Sequence, residues 1–163
     1  MKKGNIEIYC GSGRGKTSLA LGKSIRACVE NKSVIIIQFL KGRENGEYTF
    51  LENADIGIRV FRFEKSERYY EELSEQEQQE QKANVRNGLN FARKVITAHE
   101  CDVLVLDEIL GLPGYGIASC EEINEILQVN QNGMEIILTG RDMHEELKQY
   151  VDAVTVLNTE YLV

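Results

Sequence analysis

Short apolar runs alternate along the chain with longer stretches in which apolar residues recur every three to four positions. The first run, 6–10, reads Ile-Glu-Ile-Tyr-Cys and predicts a strand. Beyond it Leu21, Ile25, Cys28 and Val29 fall at i, i+4, i+7 and i+8, which predicts a helix from Lys16 to near Asn31 with one apolar stripe. The segment 34–39 is β-branched and almost continuously apolar, the pattern of a strand covered on both faces. In 58–63, Ile58 and Val60 alternate with Arg59 and Arg62, as in a half-exposed or edge strand. Glu and Gln crowd 64–81, which reads as a solvated helix or an excursion over the surface, with no chemistry assigned to it.

From Val85 the spacing Val85, Leu89, Ala92, Ile96 restores a helical stripe, and 103–106 forms a buried strand ending in Asp107-Glu108. A loop broken by Gly and Pro follows over 111–116, and the capping box Ser119-x-x-Glu122 opens a helix carrying Ile123, Ile126 and Leu127. The last strands are expected over 136–139 and 154–157, with a short helix between them starting near Asp142. Strands alternating with helices predict an α/β fold, a mostly parallel sheet of about six strands with helices on both faces. At 163 residues the chain 1–163 is expected to be a single domain with one core.

Charge narrows the partners. With 26 acidic against 19 basic residues the net charge is -7, so the global field repels nucleic acid and anionic membrane, and a phosphate-bearing ligand needs a local site. Cys10, Cys28, Cys101 and Cys120 lack zinc-site spacing and are expected to be buried free thiols. No apolar run reaches signal-peptide or membrane-spanning length, and a reducing cytoplasm is the expected compartment.

Chemistry concentrates where the predicted strands end. Gly11-Ser12-Gly13-Arg14-Gly15-Lys16-Thr17 lies between a strand and a helix, the context in which backbone N–H groups and a helix N-terminus point at one anion. The glycines let the backbone wrap a phosphate, Lys16 would reach the outer phosphates and Thr17 would offer its hydroxyl to Mg²⁺. The spacing GxxxxGK[ST], counted back from Gly15, puts Cys10 in place of the first glycine. The alternative is a glycine-rich turn without ligand. Asp107-Glu108 would be a metal-holding or nucleophile-activating pair at the carboxyl end of a strand, or simply a strand exit. Arg141, in Thr139-Gly140-Arg141, and Lys41, in Gln38-Phe39-Leu40-Lys41-Gly42, leave strands on the same rim and are either phosphate contacts or solvated turn residues. Phe61 and Phe63 share one strand face, which suits a core face. His99 and His144 are read as structural or surface residues.

Taken together, these segments, with Phe61-Arg62-Phe63-Glu64, Val105-Leu106-Asp107-Glu108 and Gly114-Tyr115, resemble the P-loop ATP:corrinoid adenosyltransferases over almost the whole chain. Members of that family read GNGKGKT at the loop, preceded by a residue other than glycine, so Cys10 is family-like. The resemblance implies a RecA-like domain, expected as a homodimer, that transfers the 5′-deoxyadenosyl group of ATP to the Co(I) centre of a corrinoid and releases triphosphate. It implies nucleotide contacts from Gly11, Ser12, Gly13, Arg14, Gly15, Lys16, Thr17, Ser18, Lys41 and Arg141, and a Mg²⁺ or Mn²⁺ site at Thr17, Asp107 and Glu108. Phe61 and Phe63 take the places of the family's corrin-facing aromatic pair, and with Lys16 they are the expected catalytic residues. A flavoprotein electron donor belongs to the same picture. The alternatives are an ATP-binding paralogue without catalysis and a P-loop ATPase or small-molecule kinase.

Overall fold

The computed structural model describes residues 4–40 and 46–161. Its strands are β1 (Ile6–Cys10), β2 (Val34–Gln38), β3 (Ile58–Arg62), β4 (Val103–Asp107), β5 (Glu135–Thr139) and β6 (Ala153–Val156). Its α-helices are α1 (Lys16–Val29), α2 (Gly46–Asn53), α3 (Glu75–Ala98) and α4 (Cys120–Gln128), with 3-10 turns at Tyr70–Glu72, Ile109–Gly111 and Glu145–Tyr150. The six strands form one sheet in the order β3-β2-β4-β5-β1-β6, and every pairing is parallel. Parallel neighbours need crossovers, and the intervening helices cover both faces of the sheet. This is a RecA-like α/β arrangement, with β5 inserted between β1 and β4.

Alternation along the strands divides the core into two layers. Ile35 and Ile37 of β2, Leu104 and Leu106 of β4, and Ile136 and Leu138 of β5 pack with Val85, Leu89, Ala92 and Val95 of α3 and Ile123, Ile126 and Leu127 of α4. The intervening residues Val34, Ile36, Val103, Val105 and Ile137 turn to the other face, against Ala20 and Leu21 of α1 and Tyr48 and Leu51 of α2. Each large aliphatic removed from water contributes roughly 1.5–3 kcal/mol.

Three elements differ from expectation. α3 starts at Glu75, eleven residues into the Glu/Gln-rich stretch, because Ser74 and Glu77 form a reciprocal capping box, and Gln81 is its first buried residue. α2 was not foreseen; its buried residues are Tyr48 and Leu51. The connection before β6 is a 3-10 turn with Leu147 buried, where a short helix near Asp142 was expected. β3 is an edge strand, as its alternation predicted, and β6, mostly exposed, is the other edge. All four cysteines are free thiols, but only Cys10 and Cys101 are buried. Burial pushes the Cys101 thiol up to about 12, which leaves it without thiolate character at neutral pH.

Because all strands run one way, their carboxyl ends share a rim. The register Arg62–Gln38–Asp107 runs along it on one face of β3, β2 and β4, beside the loop that leaves β1.

Candidate active site

The loop between β1 and α1 is shaped by Gly11 and Gly15, whose φ angles of 115° and 99° lie where other residues are strained. Lys16 folds back over it, and Nζ donates to the carbonyls of Gly11 and Gly13 at 2.8 Å each. The N-termini of α3 and α4 are closed by capping boxes from Ser74 and Ser119 and carry glutamates in their first turns. By contrast, α1 is preceded by Gly15 with no side-chain cap and has no acidic residue in its first turn. The first-turn amides, those of Lys16, Thr17 and Ser18, have no intrahelical acceptor, and the helix dipole is left to an anion.

The outer side of this loop is fastened to the chain beyond β6. The Leu157 N–H donates to the Cys10 carbonyl at 2.8 Å, and the Gly13 N–H donates to the Leu157 carbonyl at 2.8 Å. The Arg14 N–H reaches Thr159 Oγ1 at 3.2 Å. A side chain at Gly13 would bring its Cβ to 2.6 Å from the Leu157 oxygen, so the close approach requires glycine.

Asp107 sits at the end of β4, fully buried. Its Oδ1 accepts from Thr139 Oγ1 at 2.6 Å and from Thr17 Oγ1 at 3.2 Å, and its Oδ2 accepts from the Tyr48 hydroxyl at 2.8 Å. A carboxylate tolerates such burial only when donors compensate it. The Tyr48 phenol is pushed far up, first by burial and then by Asp107, so it remains a donor. The Arg62 guanidinium stands 5.8 Å from the centre of the Tyr48 ring. Glu108 takes a left-handed conformation, φ 64°, and its N–H donates to Thr139 Oγ1 at 2.9 Å, so Thr139 ties both acidic residues to β5.

Beside this rim lies a cavity of about 560 Å³, lined by Leu40, Tyr69, Tyr70, Glu71, Glu108, Gly111, Gly114, Tyr115, Arg141 and Asp142. It adjoins the glycine-rich loop, since the Arg141 carbonyl accepts the Gly11 N–H at 3.0 Å. The Tyr70 and Tyr115 rings pack with centroids 4.9 Å apart, and the Tyr115 hydroxyl donates to Glu71. That bond holds the Glu71 carboxyl below the usual range.

The structure therefore brings Lys16, Thr17, Asp107, Glu108 and Arg141 to one rim, with Ser12, Arg14 and Ser18 exposed around the loop. Lys41 lies outside the described residues. Phe61 and Phe63 do not line the cavity: they pack on Phe91 of α3 at centroid distances of 4.7 and 5.7 Å, on the core face that their period of two suited. The aromatic lining comes instead from Tyr69, Tyr70 and Tyr115. Tyr48, Thr139 as a carboxylate partner, and Leu157 and Thr159 were missed. Thr139 alone carried a signal, a hydroxyl at a strand end next to the acidic strand.

Fold and site together define a RecA-like protein whose glycine-rich loop, opening a helix without a cap, adjoins a tyrosine-lined cavity. A model of the ATP:corrinoid adenosyltransferase BtuR/CobO/CobP family matches residues 2–160. The chain is similar to the corrinoid adenosyltransferase of Escherichia coli (strain K12), 27% identical over 157 residues covering 96% of this chain and 77% of that protein. It is similar to corrinoid adenosyltransferase CobA of Salmonella typhimurium, 29% identical over 161 residues with coverage of 96% and 77%. A corrinoid adenosyltransferase of Pseudomonas aeruginosa is 24% identical, with 94% and 74% covered. The chain belongs to the ATP:corrinoid adenosyltransferase family.

Proposed function

We propose that this protein transfers the 5′-deoxyadenosyl group of ATP to the Co(I) centre of a corrinoid. The observation that carries the proposal is the contiguity of two sites: the loop that opens α1 without a cap or an acid is joined to the tyrosine-lined cavity through Gly11–Arg141, and Thr17 bonds Asp107, the chain neighbour of the cavity residue Glu108. In the reaction a cobalt–carbon bond forms at C5′, and the C5′–O bond breaks with its electron pair leaving on triphosphate. The corrinoid is the nucleophile, so the chain need supply only positioning and stabilisation of the leaving group. Lys16 and the first-turn amides, with Gly11, Ser12, Gly13, Arg14, Gly15 and Ser18 framing the loop, are assigned to the triphosphate, and Arg141 and Lys41 to its outer oxygens.

A divalent cation fits the donor chemistry. Among the described residues no group of three or more His, Cys, Asp or Glu side chains forms a metal cage. A hydroxyl from Thr17 with carboxylates from Asp107 and Glu108 is the sparse oxygen set that Mg²⁺ or Mn²⁺ accepts when phosphates and waters supply its other ligands. The cation would neutralise charge on the leaving triphosphate. We assign the surface facing the corrin to Tyr69, Tyr70 and Tyr115, because they line the cavity and Phe61 and Phe63 do not.

The proposal includes one domain over 1–163, a homodimer, a flavoprotein as reductant and a cytoplasmic setting; no helix among the described residues is long and apolar enough to cross a membrane. Product analysis tests it. Adenosyl transfer yields triphosphate and an alkylated cobalt, whereas an ATPase or kinase yields ADP.

A further inference from the structure

Gln38 ends β2 with its side chain fully buried, and neither Oε1 nor Nε2 has a hydrogen-bond partner among the described residues. An unpaired buried polar group is costly, and its presence in a folded protein points to a partner that is not part of the chain. Its place says which partner. In the sheet register Gln38 pairs with Arg62 on one side and Asp107 on the other, all on the face covered by α1 and α2. Adjacent strands stand about 4.8 Å apart, so the carboxamide adjoins the Asp107 carboxylate. Tyr48, fully buried, bonds that carboxylate and closes the space from the α2 side. A carboxylate, a phenol and an amide brought together at one end of the sheet suit a small polar molecule.

We infer that Gln38 is a positioning residue of the cation site, its carboxamide binding a water in the hydration shell of the divalent ion that Thr17 and Asp107 hold with the nucleotide. The inference rests on the assignment of Thr17 and Asp107 made above. Mg²⁺ gives up its waters reluctantly, and those it keeps need acceptors. Oε1 is such an acceptor, and Nε2 is a donor toward anionic oxygens around the same ion. An amide does this without adding a second negative charge beside Asp107, and it does not take a proton from the water.

The test compares wild type with Gln38→Met and Gln38→Asn. ATP affinity is measured by calorimetry with Mg²⁺ and with EDTA, and Mn²⁺ affinity of the protein–ATP complex by electron paramagnetic resonance. The expected result for Gln38→Met is a loss of about 10-fold or more in Mn²⁺ affinity and in Mg²⁺-dependent ATP affinity, with ATP affinity in EDTA unchanged. Equal weakening with and without the cation, or unchanged Mn²⁺ affinity, would overturn the inference. If circular dichroism shows Gln38→Met unfolded, Gln38→Asn, which keeps the amide on a shorter stem, carries the comparison with the same two outcomes. A wild-type protein that couples ATP to Mn²⁺ but alkylates no corrinoid would contradict adenosyl transfer and leave this inference standing.

Discussion

The Tyr48 hydroxyl donates to Oδ2 of Asp107 at 2.8 Å, and it ties α2 to the buried end of β4. Both residues are fully buried, so no water replaces the bond when it is lost. Tyr48→Phe removes the donor and keeps the ring. The expected cost is about 1–3 kcal/mol, read as a lower urea midpoint with unchanged slope. An unchanged midpoint would show that Asp107 is satisfied without Tyr48.

Glu64 follows β3, and burial pushes its carboxyl up to about 7, against an opposing contribution from the Leu40 N–H. The folded protein therefore holds a proton that the unfolded chain releases near 4.5. Its contribution to stability is complete below about 4.5 and is lost as pH rises towards 7. Glu64→Gln cannot ionise, so its melting temperature should match wild type at pH 4 and exceed it at pH 8. The reverse order at pH 8 would mean that the ionised carboxylate is favoured in place.

Gly13→Ala sets a methyl group 2.6 Å from the Leu157 oxygen and 2.7 Å from its carbonyl carbon, both backbone atoms that cannot swing aside. Overpacking of this kind costs about 1–3 kcal/mol. The loop should part from the segment after β6, with a lower melting temperature and faster amide exchange at Gly13 and Leu157. Wild-type exchange at both positions would remove that segment as a support of the loop.

How much of this was legible in the sequence depended on the physics behind each feature. The parallel sheet showed because strands such as 34–38 are buried on both faces and read as continuous apolar runs. The glycine-rich turn into α1 showed because its glycines and Lys16-Thr17 are local. The start of α3 was hidden by Glu and Gln, although the Ser74-x-x-Glu77 signal was present. Tyr48 could not be found, because its partner lies 59 positions away and only the packing of α2 joins them. At Phe61 and Phe63 strand alternation suited a core face, and Phe91 packs against them there; a corrin-facing role for the pair came from the family resemblance and not from the spacing.

The tyrosine wall makes its own prediction. Tyr69→Ala, at an exposed residue of the lining, should raise KM for the corrinoid about tenfold, equivalent to about 1.4 kcal/mol, and leave ATP affinity unchanged. Phe61→Leu should lower stability without that change in KM. The opposite pattern in steady-state kinetics would return the corrin-facing role to the strand phenylalanines.

The central claim is tested most directly by incubating the protein with ATP, Mg²⁺ and a corrinoid reduced to Co(I), following the visible absorbance of cobalt while the phosphate products are quantified. The account predicts one triphosphate for each cobalt alkylated, and loss of both products in Lys16→Ala. ADP formation, or tight ATP binding with no cobalt–carbon bond on any corrinoid supplied, would contradict it.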